Sequence, residues 1–386
     1  MSEQSFAPPE RLLMGPGPSH VTPRVLNAAA RPTIGHLDPV FIAFMEEVKG
    51  LLQWLFRTSN RLTMPVSGPA TAAMEACLVN LLERGDKLLV CRNGVFGQRM
   101  VEMAERIGAE VIVVDDDWGR AIDLNKVEES LKANPDTRVL AFVHAETSTG
   151  ARSDAQALAT LARRYGCLSL MDCVTSLGGI PVEIDAWGID AAYSGTQKCI
   201  SAPPGLSPVT LGARASDVIR NRKTPVQSWF MDFGLVMNYW GSEGPRSYHH
   251  TAPVNALYGL HEALLVLREQ GLENVWKRHA EVSEQLRIAL EDLGLSFLVP
   301  EGERLPQLNT VRIPDGIDDA EVRSRLLVSH GIEIGAGLGP LAGKVWRIGL
   351  MGESCRSESV QRCRDALASV LADTGGNRSG ERRAVV

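Results

Sequence analysis

No stretch of the 386-residue chain approaches the roughly eighteen uninterrupted apolar residues that a membrane-crossing helix needs. The opening MSEQSFAPPERLLMGPGPS also lacks the basic-then-apolar layout of a secretory signal, so a cytoplasmic protein with no membrane contact is expected. Basic residues are in deficit, 40 Lys and Arg against 46 Asp and Glu, for a net charge of −6 and a pI near 5.8. A nucleic-acid partner is therefore not expected, and the short run Arg220-Asn221-Arg222-Lys223 reads as a solvated helix end. The seven cysteines are scattered with no C-x-x-C pair, which argues for a reducing compartment and against zinc ligands or a disulfide framework. No metal site is expected. Nor does any G-x-G-x-x-G follow an early strand, which excludes a nicotinamide dinucleotide enzyme, and no internal repeat is visible.

What is present is a globular composition, 44% hydrophobic and 22% charged, on a chain long enough for about two or three domains. From Asp86 strand-like and helical stretches alternate: Lys87 to Cys91, Gln98 to Ile107, Glu110 to Val114, Asp123 to Ala133, Arg138 to His144, and Asp154 to Tyr165. That alternation predicts an α/β fold with a mostly parallel sheet covered by helices. Phe41 to Phe56 reads as an amphipathic helix, and so does Val254 to Gln270. Beyond Leu272 the pattern becomes that of a smaller α+β unit. The expected division is an irregular N-terminal arm 1–20, a large domain 21–268, a small C-terminal domain 269–375 and a disordered tail 376–386. Residues 224–253 are aromatic and aperiodic, the mark of a functional or interfacial segment.

One stretch concentrates the chemistry. The apolar run Leu168-Ser169-Leu170-Met171 ends on Asp172, and the next strand-like segment, Ile189 to Tyr193, delivers Ser194-Gly195-Thr196-Gln197-Lys198. An acid and an amine 26 positions apart can thus meet at the carboxyl edge of one sheet, where open α/β sheets bind ligands. A lysine in an apolar pocket loses solvation for its charged form, and the freed amine condenses with carbonyls. An aspartate held against a ring nitrogen keeps that nitrogen protonated. Ser67 to Thr71, a small-residue turn leading into a helix, suits a phosphate, and Phe96 in its glycine-flanked loop is either a core plug or a stacking surface. Four weak signals converge on pyridoxal 5′-phosphate.

Seven motifs then stand together: MGPGPS at 14–19, NGVFGQR at 93–99, HAETSTG at 144–150, MDCVTSLGG at 171–179, YSGTQK at 193–198, SYHHTAPV at 247–254 and GLGPLAGKVWRIG at 337–349. From Leu13 to about Ala372 the chain resembles the class V family of pyridoxal-phosphate aminotransferases. The resemblance implies fold type I and the transfer of an amino group from a small amino acid, alanine or serine, to glyoxylate. It implies that Lys198 carries the cofactor covalently, that Asp172 pairs with its pyridine nitrogen, that Phe96 stacks on the ring and that Val174 covers the opposite face. Thr147 takes the hydroxyl position beside the cofactor. Ala70, Thr71 and Gln197 hold the phosphate with Tyr248 and Thr251 of a neighbouring subunit, making the protein a homodimer with shared sites. Arg347 grips the substrate carboxylate through a two-point fork, and Gly17, with Thr147, lines the substrate pocket. The sequence departs from the animal members at Pro69, Ala70 and Thr71, and carries Phe96 where they have tryptophan.

Three rival readings are weaker. Cysteine desulfuration needs a mobile cysteine shortly before the carboxylate-binding arginine, and residues 331–346 hold none. A binding protein without catalysis would be expected to lose Lys198 or Asp172. Other donor and acceptor pairs within the family, serine–pyruvate, serine–glyoxylate or aspartate-type, turn on contacts worth about 1–3 kcal/mol, which no motif reports.

Overall fold

A computed structural model describes residues 5–240 and 246–381, with side chains described through Asp373. The chain opens with strand β1 (Leu12–Leu13) and helices α1 (Pro23–Ala29) and α2 (Pro39–Phe56). There follow β2 (Leu62–Ser67), α3 (Ala70–Leu81), β3 (Lys87–Arg92), α4 (Val95–Ile107), β4 (Glu110–Asp115), α5 (Leu124–Ala133) and β5 (Thr137–Val143). A hairpin of β6 (Ala145–Glu146) and β7 (Ala151–Arg152) leads to α6 (Ala155–Arg164) and β8 (Leu168–Asp172). Next come α7 (Ile184–Trp187), β9 (Ala191–Tyr193), β10 (Leu206–Leu211), α8 (Ala213–Arg220), α9 (Phe233–Tyr239) and α10 (Val254–Gln270). The C-terminal part holds α11 (Leu272–Glu291), β11 (Leu308–Arg312), α12 (Asp319–His330), β12 (Ile332–Glu333), β13 (Gly335–Ala336), β14 (Val345–Gly349) and α13 (Ser357–Glu381).

Local signals account for these elements. Helix α2 starts where Asp38 accepts from the Val40 N–H and Pro39 presets the first turn, and it stops at Arg57, which turns left-handed at φ 51°. Its buried face, Phe41, Met45, Val48, Leu52 and Leu55, is worth about 1.5–3 kcal/mol per large side chain removed from water. Strand β8 is buried along its whole length, the pattern of an interior parallel strand.

Seven strands form the main sheet in the order β2-β10-β9-β8-β5-β3-β4, and only β10 runs antiparallel to its neighbours. The mostly parallel sheet anticipated from the alternation is present, but β10 was not anticipated. Pro208 lies in it, and a proline argues against a central strand; here it pairs in register with Pro65, so both missing donors fall at one rung of the ladder. One buried apolar cluster extends from Val25 to Val275, and a second joins Met14 to residues from Val282 to Val370 around the sheet β11-β14-β13. Helix α11 belongs to both, through Leu272 and Val275 at one end and Val282, Leu286 and Leu290 at the other.

Two expectations need correction. The arm is not wholly irregular: Leu12 and Leu13 pair with Ile332 and Glu333, and Met14 accepts from the Gly349 N–H at 2.7 Å. Its first four residues lie outside those described. The expected disordered tail begins as helix, because α13 runs through Gly375-Gly376 to Glu381; residues 382–386 lie outside the description. Glycine costs a helix about 1 kcal/mol per residue, which lowers helical preference there without forbidding a continued helix. Among the described residues no helix is long and apolar enough to cross a membrane.

Candidate active site

Parallel pairing sets the site. Asp172, the last residue of β8, lies in register with Val143 on one side and Tyr193, the last residue of β9, on the other. Asp172 is only 3% exposed. Its Oδ2 accepts from the Tyr193 hydroxyl at 2.8 Å and its Oδ1 from the Val174 N–H at 2.9 Å. Burial nevertheless wins over those two bonds and pushes its pKa up to about 7, with the charge of Glu146 adding to the rise and Lys198 opposing it. A cationic ring N–H beside it would tip the balance back to the carboxylate.

Lys198 follows five residues after Tyr193 and is 8% exposed. Its Nζ donates to the Pro16 carbonyl in the arm. Burial first, and the charge of Arg347 second, lower its pKa to about 8, so a useful fraction of free amine exists near neutrality. The arm is fastened over it: the Ser19 N–H donates to the Gln197 carbonyl at 2.8 Å and the Ser19 hydroxyl to the Lys198 carbonyl at 2.6 Å. Gly17 stands at φ 104°, and a Cβ there would lie 2.7 Å from Lys198 Nζ, so only glycine lets the arm pass this close.

Arg347 on β14 is 7% exposed. Its Nε donates to the Ala336 carbonyl at 2.7 Å and its Nη1 to the Thr147 carbonyl at 3.2 Å, while Nη2 makes no hydrogen bond among the described residues. Burial lowers its pKa to about 10, which leaves it cationic at neutral pH. Thr147 is buried with its hydroxyl bonded to that of Thr175, and Val174 is half-buried beside Asp172.

The remaining expected positions gather at the N-terminus of α3. Ala70 opens that helix with no side-chain cap at Pro69. Gly195 packs between Ala70 and the Gln197 amide, whose buried Oε1 finds no partner. Arg99 donates to the Thr71 hydroxyl at 3.0 Å and lies over the Phe96 ring at 4.9 Å. These residues fit the demands of pyridoxal phosphate: a buried acid for a ring nitrogen, a buried amine for a carbonyl, an aromatic wall, and the leading N–H groups of a helix without a side-chain cap for a phosphate.

Tyr248 and Thr251 stand apart. Tyr248 is 61% exposed with its ring against His36, Thr251 is exposed, and among the described residues neither hydrogen-bonds to the Lys198–Asp172 cluster. His250, between them, reaches the Ser67–Thr71 turn, with Nε2 3.3 Å from the Ser67 hydroxyl. Sequence reading missed Tyr193, Arg99 and Glu146. Glu146 is fully buried two residues after His144, and it had a usable signal, since it follows the apolar strand β5 much as Asp172 ends β8.

Residues 21–356 match the family model Aminotransferase class-V. The chain is 44% identical over 365 residues to the alanine–glyoxylate aminotransferase of Rattus norvegicus, covering 94% of this chain and 88% of that one. It is 38% identical over 382 residues to the (S)-ureidoglycine–glyoxylate transaminase of Bacillus subtilis, covering 94% and 91%. Among solved structures, an alanine–glyoxylate aminotransferase from Nostoc sp. superposes with a TM-score of 0.94 at 48% identity, covering 96% of this chain and 98% of the other.

Proposed function

The chain belongs to the class V aminotransferases and is a pyridoxal-phosphate-dependent transaminase, and we propose that it moves the amino group of alanine to glyoxylate, giving pyruvate and glycine. The observation that carries the reading is the convergence of three buried groups, Lys198, Asp172 and Arg347, beneath the glycine-proline arm. Two similar proteins act on glyoxylate by name, and one of them takes alanine as donor. Serine is the second donor we would expect, because the arm at Gly17 leaves little room above Lys198.

Pyridoxal phosphate, when bound, supplies the electron sink that stabilises negative charge at the substrate α-carbon. Asp172, held by Tyr193, keeps a proton on the ring nitrogen. Arg347 holds the substrate carboxylate through its free Nη2 and the neighbouring nitrogen, which fixes the Cα–H bond towards Lys198. Lys198 Nζ takes the Cα proton and later returns it, a role its lowered pKa of about 8 suits. Phe96 and Val174 form the two walls of the ring slot. Ala70, Thr71 and Gln197 receive the phosphate, with Arg99 adding positive charge through Thr71.

A homodimer completes this site, Tyr248 and Thr251 of each chain serving the other's phosphate. Exposed Trp229, Phe230 and Tyr248 support such an interface. The two apolar clusters support a large unit 21–268 and a small unit 269–375 hinged at α11. Seven buried thiols fit the cytoplasm, and the net charge of −6 argues against a nucleic-acid partner. Cysteine desulfuration is disfavoured, since Cys355 is fully buried and burial pushes its thiol up to about 12.

A scan of amino donors against glyoxylate and pyruvate tests the assignment. Alanine with glyoxylate should give the highest kcat/KM; strong turnover with aspartate but not alanine would overturn it.

A further inference from the structure

Helix α4 carries Phe96 in its first turn, yet its N-cap residue is Gly94, which has no side chain to satisfy the leading N–H groups. Those groups are satisfied from fifty residues downstream. The Phe96 N–H donates to Glu146 Oε2 at 3.2 Å, and the Val95 N–H donates to the Ser148 hydroxyl at 2.9 Å. Ser148 passes the contact on, its hydroxyl donating to Glu146 Oε1 at 2.6 Å and its N–H to the same oxygen at 3.0 Å. Gly94 is extended, a conformation open to any residue, and what requires glycine is space: a Cβ would lie 2.4 Å from Glu146 Cδ and 2.5 Å from the Ser148 hydroxyl.

Burying a carboxylate is costly unless donors converge on it, and here the side chain is fully buried with three donors aimed at its two oxygens. A residue needed only to fill space would not be an acid. We propose that Glu146 is a positioning residue for the cofactor slot, fixing the Phe96 ring through the first turn of α4. The inference rests on the reading of Phe96 as a ring-stacking wall. The same hairpin turn carries Thr147, whose carbonyl receives Arg347, so one buried acid braces the stacking wall and the carboxylate-binding arginine from a single loop.

Glu146→Gln tests this, because an amide offers one acceptor oxygen and turns an N–H towards a backbone N–H. The dissociation constant of the cofactor-free protein for pyridoxal phosphate should rise about tenfold, and the visible circular dichroism of the bound ring should weaken. If Glu146 acts through Phe96, Phe96→Ala should weaken binding as well, and Glu146→Gln added to it should cost less than about a further twofold. Ser148→Ala, which removes only a hydroxyl, gives the same test in milder form if Glu146→Gln fails to fold. Additive losses in the double variant, or wild-type affinity and circular dichroism in Glu146→Gln, would overturn the assignment. A wild-type chain that bound no pyridoxal phosphate would overturn the reading of the whole site, and this inference with it.

Discussion

Tyr193 donates its hydroxyl hydrogen to Asp172 Oδ2 at 2.8 Å across two neighbouring parallel strands, both side chains being buried. That bond favours the ionised carboxylate against burial, which otherwise holds it protonated. Tyr193→Phe keeps the ring and removes the donor, so the Asp172 pKa should rise further. A hydrogen bond to a charged group is worth about 1.5–3 kcal/mol, or roughly one to two pH units. The titration of Asp172 in cofactor-free protein, followed by carboxyl NMR, should therefore move upward by about that much; an unmoved titration would mean that Tyr193 does not set the charge of Asp172.

The same carboxyl makes a stability prediction. Its folded pKa of about 7 lies above the ordinary 3.8. Between those values the native state keeps a proton that the unfolded chain releases, so stability falls as pH rises through that window and stays reduced above it. Asp172→Asn should abolish transamination yet raise the melting temperature of cofactor-free protein at pH 8 by a few degrees. The gain should narrow towards pH 5. A melting temperature at pH 8 below that of the wild type would contradict the account.

Gly17→Ala places a Cβ 2.7 Å from Lys198 Nζ and 2.9 Å from Cδ, at a φ of 104° that alanine adopts only under strain. Strain of about 1–3 kcal/mol should fall on the arm. Activity should drop by about tenfold or more, while the melting temperature of the cofactor-free protein shifts by only a few degrees, since the apolar clusters are untouched. Wild-type kcat/KM in this variant would mean that the arm does not lie on the lysine during turnover.

The shared site can be read by complementation. Lys198→Ala and a Tyr248→Ala/Thr251→Ala variant should each be nearly inactive alone. Refolded together as dimers, about a quarter of the sites should pair an intact Lys198 with an intact partner loop, and activity should recover in that proportion. No recovery, with heterodimers demonstrated by differential tagging, would place Tyr248 and Thr251 outside the neighbouring site.

Asp172 was legible because it ends a short apolar run and Lys198 because it follows the next one by five residues, and the sheet because strands and helices alternate at regular intervals. The partners of those residues were not. Tyr193 and Asp172 become neighbours only once β8 and β9 pair in register, and Arg347 meets Thr147 across 200 positions of sequence. Strand β10 was hidden by Pro208, whose missing donor is tolerated because Pro65 faces it. Glu146 had a visible position just past β5 but no visible role, because that role lies in hydrogen bonds to the backbone of another element.

A half-reaction tests the central claim most directly. Purified protein loaded with pyridoxal phosphate, given alanine without an acceptor, should release about one pyruvate per subunit and lose its visible absorption band, and glyoxylate should then restore the band while glycine forms. In Lys198→Ala neither change should occur on the same timescale. Pyruvate released by Lys198→Ala at the wild-type rate, or no pyruvate from the loaded wild type, would contradict the account.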